Sequence, residues 1–285
     1  MTMGAARLAW AGEGWRIDRL PGPDLAAHLA GRPMAEAAAL LPRLFNLCRM
    51  AQGTAARLTL GLPVTGEDTG AEVIRDHMAR LHVTLRQAFG LSPRPLPAAT
   101  PDLFGPSATL PRDLAGLRDW LAQDNPLAEL GRAVQAAFPP GHAVTPALPQ
   151  PAPLLSPAEN SAAGRQARHP LMQALEQAGG RAPLWRYMGI LADLAAAMAG
   201  ALPPPRLLPD GTAVVQAARG HYFLRIGQAA GRVTTLARLT PTDHQLAPGG
   251  ALDHALRGLP PGLAPRLVAL IDPCVPVTIA EPCHA

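Results

Sequence analysis

The chain has 285 residues, enough for one large domain or two small ones around a sizeable core. Hydrophobic residues make up 48% and charged residues 16%, so the chain is too apolar for wholesale disorder, while 33 prolines and 27 glycines cut it into short elements. All 25 basic residues are arginine, which excludes a lysine nucleophile, a Schiff base and a phosphate-loop lysine. The net charge of +4 forms no basic stripe, and 4% aromatic residues give no stacking platform for nucleic acid.

The first element expected is a short strand or hairpin, RLAW followed by Trp15-Arg16-Ile17-Asp18 across a glycine-containing turn. Ala- and Leu-rich helical stretches follow at 25–29, 34–41 and 44–60. Residues 71–89 carry apolar side chains at 73, 74, 78, 81 and 85, the spacing of a single helix. Residues 91–111 are a proline-dotted connection and 112–138 one or two short helices. Seven prolines between 139 and 157 mark a linker or mobile excursion. Helix resumes over 169–202, broken at Gly179-Gly180. The period then changes to that of strands at 213–216, 222–226 and 233–239, with a hairpin turn at 227–231. A short helix at 249–259 and an apolar run at 267–271 lead to Asp272-Pro273-Cys274. The pattern predicts an α+β protein, mainly α, a helical core with a small antiparallel β portion. Its parts are 1–138, a linker 139–157 and 158–285, the outer two forming one compact domain.

The opening MTMGAARLAWAGEG lacks the apolar core of a secretory signal, and the most apolar window, 190–202, carries Asp193 and ends in three prolines, too short for a bilayer. Three cysteines cannot build a disulfide framework, so a cytoplasmic, reducing location without a membrane partner is expected. No two of Cys48, Cys274 and Cys283 stand in CxxC spacing, which excludes a four-thiolate site within the chain. Cys48, inside a helical stretch, reads as a small buried apolar residue. Cys274 sits on the stiff backbone between Pro273 and Pro276 that suits a ligand, and Cys283-His284 reads as a frayed tail or a thiol–imidazole metal trap. His77 and His82 are not at i, i+4 spacing, and His244 and His254 read as surface residues. No GxSxG, GxGxxG or HExxH motif appears.

Four segments in order change this reading. Glu13 through Asp18 resembles E-G-H-x-R-I/V-E, and LPRLFNLCRMAQ at 41–52 aligns with R-x-C-G-x-C-x-x-x-H. Ile74-Arg75-Asp76-His77 resembles x-x-D-H-x-x-H. The C-terminal part runs through Ala218-Arg219-Gly220, Pro241-Thr242 and Gly249-Gly250-Ala251 to Asp272-Pro273-Cys274, which resembles D-P-C-x-x-C-x-x-H. Together they resemble the large subunit of nickel-iron hydrogenase in a reduced form, over roughly the first 90 and the last 75 residues. Arg43 and Cys48 match the first cysteine motif, but Phe45, Asn46 and Gln52 replace its first cysteine, glycine and histidine. Val277 and Ala280 replace the last cysteine and histidine of the second. Two of the four metal-ligand cysteine positions are therefore Phe45 and Val277, which carry no soft donor, so the resemblance implies neither nickel nor hydrogenase catalysis.

The pattern is similar to the HupK/HoxV-type hydrogenase accessory proteins. That resemblance implies a non-catalytic scaffold or carrier on which an iron fragment bearing cyanide and carbonyl ligands is assembled transiently before transfer. Cys48 and Cys274 would be the ligands, with Cys283 and His284 as additional candidates, and Glu13, Arg43, Arg219 and Asp272 around them. Arg219 would lie over the metal pocket and donate to cyanide, Glu13 would hydrogen-bond the Cys48 segment, and Asp272 would orient the last turn by accepting backbone N–H bonds. The implied partners are a small HypC-type maturation chaperone or the immature hydrogenase large subunit. A metal-free chaperone mimicking the large subunit is the alternative. In the enzyme both bridging thiolates come from the second cysteine of each motif, whereas this chain keeps the second at Cys48 and the first at Cys274, so the iron geometry does not carry over unchanged.

Overall fold

Gly12, in the left-handed region at φ 80°, lets the chain turn tightly between β1 (Ala5–Trp10) and β2 (Trp15–Leu20), and Ala11 N–H closes the turn on the Gly14 carbonyl at 2.9 Å. Trp10 and Trp15 meet edge to face across the pair, with ring centroids 5.4 Å apart. The computed structural model describes residues 4–44, 47–64, 68–97, 103–104, 109–153 and 156–280. Phe45, Cys283 and His284 thus lie outside the described residues.

Helix α1 (Leu25–Leu29) starts at Asp24, whose side chain accepts the Ala27 N–H, and α2 (Met34–Leu44) runs through Pro42 near its end. Helix α3 (Arg49–Thr59) begins later than the sequence pattern suggests, because Cys48 stands at φ 56°, ψ 38° and turns the chain sharply between α2 and α3. The rod expected over 71–89 is α4 (Thr69–Ala79), a π-helical turn Arg80–Thr84 and α5 (Leu85–Ala88), end to end. Asp113 and Asn125 cap α6 (Leu114–Leu121) and α7 (Pro126–Ala137), the second with Pro126 in its first turn, where a missing N–H costs nothing.

The stretch expected as a linker, 139–157, is mostly exposed or half-buried among its described residues, but it is held to the body at one point. Ala143 and Thr145 are buried, Thr145 bridges to Arg181, and Arg186 donates to Thr145 Oγ1 at 2.8 Å. These contacts supply hydrogen-bond partners for backbone that proline cannot place in a helix or ladder. Beyond it come α8 (Ala162–Arg165), α9 (Pro170–Gly179) and α10 (Pro183–Met198). Helix α10 is buried on nearly every side and packs on α4, α7, α8 and α9. A Cβ on Gly189 would stand 2.2 Å from that of Ala163, so only glycine lets α8 approach α10 this closely.

The second sheet is antiparallel in the order β3 (Arg206–Leu207), β4 (Ala213–Ala217), β5 (Gly220–Ala229), β6 (Arg232–Leu239), and α3 covers β4 and β5. Then come α11 (Pro241–Gln245), α12 (Ala251–Leu256) and α13 (Ala264–Ile271). The last strand, β7 (Val277–Ala280), lies parallel to β1, with Ala6 opposite Val277 and Ala9 opposite Ala280. That pairing sets the segment preceding β7, which contains Cys274, beside the start of β1. It joins the two ends of the described chain in one sheet, the arrangement a site shared by both cysteine segments requires.

Candidate metal centre

Cys48 occupies the N-cap position of α3, but its side chain makes no capping bond. The first-turn N–H groups are served from outside: Glu72, buried on α4, accepts Met50 N–H at 3.0 Å and Ala51 N–H at 3.1 Å. A carboxylate on the positive end of a helix does the capping residue's work and leaves the Cys48 sulfur free to turn elsewhere. It turns to Cys274. That residue follows α13, whose C-cap Asp272 is also left-handed, at φ 54°. The Cys274 N–H donates to Thr242 Oγ1 at 2.8 Å, which anchors the loop to α11. Each half of the site therefore hangs on a non-glycine residue at positive φ, a conformation that costs of order 1–2 kcal/mol and persists where surrounding contacts enforce it.

The two thiols are free and adjacent. Their contact, with help from the Arg219 guanidinium, pulls the Cys274 thiol below its usual range against the effect of burial. The same contact, burial and the Cys274 charge push Cys48 up, so the two ionise as a pair. Both sulfurs open onto a cleft of about 300 Å³ whose wall includes Leu20, Leu47, Tyr222, Arg238 and Asp243. Burial raises the Tyr222 phenol to about 12, so it is neutral.

Arg219 sits in the β4–β5 turn. Its Nη groups donate to Asp76 at 2.5 Å and Asp272 at 2.7 Å, and Asp272 also pairs with Arg80 Nε at 2.9 Å. Burial disfavours the Arg219 charge, but the thiolate and both carboxylates hold its pKa above the ordinary value. Beneath it lies a second buried set. Asp193 on α10 receives Arg165 through two bonds, at 2.8 and 2.5 Å, and His77 at 2.9 Å, while Arg165 also donates to the Ala217 and Gly220 carbonyls at 3.0 and 2.9 Å. Asp193 thus ties α4, which carries Asp76, to the turn that carries Arg219. Burial opposes its ionisation, but Arg165 and His77 hold its carboxyl well below the usual range.

Several sequence expectations need correction. Glu13 is exposed at the tip of the β1–β2 hairpin, and Glu72 is the carboxylate that bonds the Cys48 segment. Arg43 is exposed near the end of α2 and does not line the cleft. Asp272 accepts from guanidiniums, not from backbone N–H groups. His244, read as a surface residue, is 0% exposed against Phe223. Val277, at the second cysteine position, is the first residue of β7, which runs away from the cleft. Glu72 is one polar position in the first turn of α4, and it carries no sequence signal because its role depends on the start of α3 meeting it in space.

The helical body, the two small sheets and the thiol pair in the cleft define a hydrogenase large-subunit-like protein. Solved Ni-Fe-Se hydrogenases from D. vulgaris Hildenborough superpose with a TM-score of 0.56 in the reduced state, covering 93% of this chain and 94% of that one, and 0.58 in the as-isolated oxidized state, covering 91% and 92%, both at 14% identity. The Dm. baculatum enzyme gives 0.53 at 12% identity, covering 91% and 93%. At such identities the likeness is one of fold. No protein-family model matches the chain. The hydrogenase expression/formation protein HupK of Rhodobacter capsulatus is 44% identical over 282 residues, 94% of this chain and 92% of that protein, and the chain belongs to the HupK family.

Proposed function

We propose that this chain is a non-catalytic, cytoplasmic accessory in hydrogenase maturation that holds an iron fragment with cyanide and carbonyl ligands before passing it on. The observation that carries the reading is the meeting of Cys48 and Cys274, two thiols from distant segments, at the wall of one open cleft. Thiolates are the donors that soft, low-spin iron takes. Among the described residues no group of three or more His, Cys, Asp or Glu side chains is placed to hold a metal ion. Two sulfur donors, the ligands available among the described residues, suit a cargo that brings its own diatomic ligands, and suit its release, because few metal–protein bonds have to break.

In this reading Cys48 and Cys274 would hold the iron, and their thiol protons would be released on binding. The charge this leaves is offset by Arg219, which acts chiefly through Cys274 and is held by Asp76 and Asp272. The receiving partner is the immature large subunit or a small HypC-type chaperone. Leu20 and Leu47, both exposed at the wall of the cleft, give it an apolar landing. Among the described residues no helix is long and apolar enough to cross a membrane.

The test is infrared spectroscopy of protein purified anaerobically from a host carrying the maturation system. Bands of metal-bound cyanide and carbonyl are expected, with their loss in Cys48→Ser and in Cys274→Ser. If hydrogenase maturation proceeds undiminished with both cysteines replaced, the chain is a metal-free mimic of the large subunit and the carrier reading fails.

A further inference from the structure

Three polar residues of one helical rod reach the three chain segments that build the site. Glu72, Asp76 and Arg80 stand four residues apart, so they share one face of α4, and Arg80 keeps the helical phase because its N–H still bonds the Asp76 and His77 carbonyls. Asp76, in the middle, meets Arg219. The two ends meet the cysteine segments. Glu72 accepts the Met50 and Ala51 N–H groups just past Cys48. Arg80 donates to the Leu270 carbonyl at 3.1 Å and pairs with Asp272, just ahead of Cys274.

Each end carries the charge that its helix terminus calls for. The first turn of α3 presents N–H groups, the positive end, and meets a carboxylate; the last turn of α13 presents carbonyls, the negative end, and meets a guanidinium. The N-cap of α3 makes no side-chain bond and the last turn of α13 holds no basic residue, so both ends depend on the rod. The rod is firm. Val73, His77 and Leu81 are fully buried, α10 packs against α4, and eight residues of helix fix the two ends about 12 Å apart along the axis. We propose that this face of α4 sets the separation of the Cys48 and Cys274 sulfurs before a metal arrives, with Glu72 and Arg80 as positioning residues. The proposal rests on the reading of the two cysteines as a joint metal site. A pair held in place binds a metal as a chelate, whereas freeing either helix end lets one sulfur swing away.

The experiment is titration of the full chain with cadmium, read by the sulfur-to-metal charge-transfer absorption at a temperature where every variant is folded. Arg80→Lys keeps the charge but cannot fork to two partners, and should weaken cadmium binding about tenfold or more, the usual cost of losing a residue behind a metal ligand. In a Cys274→Ser background the same change should do nothing further, because no second sulfur remains to be placed. Glu72→Gln should behave likewise in the parent and in Cys48→Ser, and it reads the other end of the rod if Arg80→Lys fails to fold. A purely structural role would lower the Tm and leave the cadmium affinity of the folded protein unchanged. That result would overturn the proposal, as would equal losses in the parent and serine backgrounds. Serine changes that leave cadmium binding unaltered have a different meaning: the sulfurs share no metal, and the joint site falls together with its positioning.

Discussion

Replacing Glu72 by glutamine isolates the device that frees Cys48 from capping its own helix. The carboxylate accepts two backbone N–H bonds, at 3.0 and 3.1 Å, in a buried setting. Glutamine keeps one acceptor oxygen and turns an NH₂ toward the other donor. One charge-assisted bond, worth about 1.5–3 kcal/mol, falls to the neutral range of about 0.5–1.5, and the second is lost, for a total of about 2.5–4.5 kcal/mol. For a chain of this size that lowers the Tm by about 4–8 °C. Loosening the first turn of α3 should also speed alkylation of Cys48 by iodoacetamide, read peptide by peptide in mass spectrometry, more than that of Cys274, which is anchored through Thr242. A Tm within 1 °C of the parent together with unchanged Cys48 labelling would refute the assignment of Glu72 as the cap of α3.

Asp193→Asn leaves Arg165 buried without its anionic partner and should cost about 3–5 kcal/mol in urea unfolding; a loss below 1 kcal/mol would mean that Asp193 does not tie α4 to the β4–β5 turn. Because a metal displaces the protons of thiol ligands, and burial with its neighbour pushes Cys48 up, zinc used as a probe should bind more tightly as the pH rises. A pH-independent affinity in competition titrations would contradict ligation by the thiol pair. Burial, with Arg165 and Arg206, lowers His221 from 6.5 to about 4. The unfolded chain takes up a proton near 6.5 and the folded chain does not, so stability falls as the pH drops from 6.5 to about 4, by about 3 kcal/mol in all, and His221→Gln should flatten that decline.

Much of the fold is legible along the chain because local rules decide it. The hairpin around Gly12, the apolar spacing of 71–89, the halt at Gly179-Gly180 and the three long strands of the second sheet each carry a signal within a few residues. What escapes depends on partners distant in sequence. Strand β7 is four residues long and has meaning only as the parallel neighbour of β1. The turn at Cys48 contains no glycine to announce its left-handed backbone. The prolines of 139–157 suggest a tether, and the attachment of that stretch at Thr145 to Arg181 and Arg186 has no local signal. In the candidate site, the resemblance points to Cys48, Cys274 and Arg219; the two cysteines line one cleft, whereas Arg219 does not line it and acts on Cys274 through its charge. The resemblance does not supply Glu72, Asp193 or the pairing of Arg219 with Asp76, since each is a polar residue whose role appears only when two segments meet.

The central claim is that Cys48 and Cys274 jointly hold one metal, and X-ray absorption at the iron edge of the anaerobically loaded protein tests it most directly. The spectrum should show two sulfur scatterers beside light diatomic ligands in the parent and one or none in either serine variant. A sulfur count that does not change when Cys48 or Cys274 is replaced, or iron surrounded by nitrogen and oxygen alone, would contradict it.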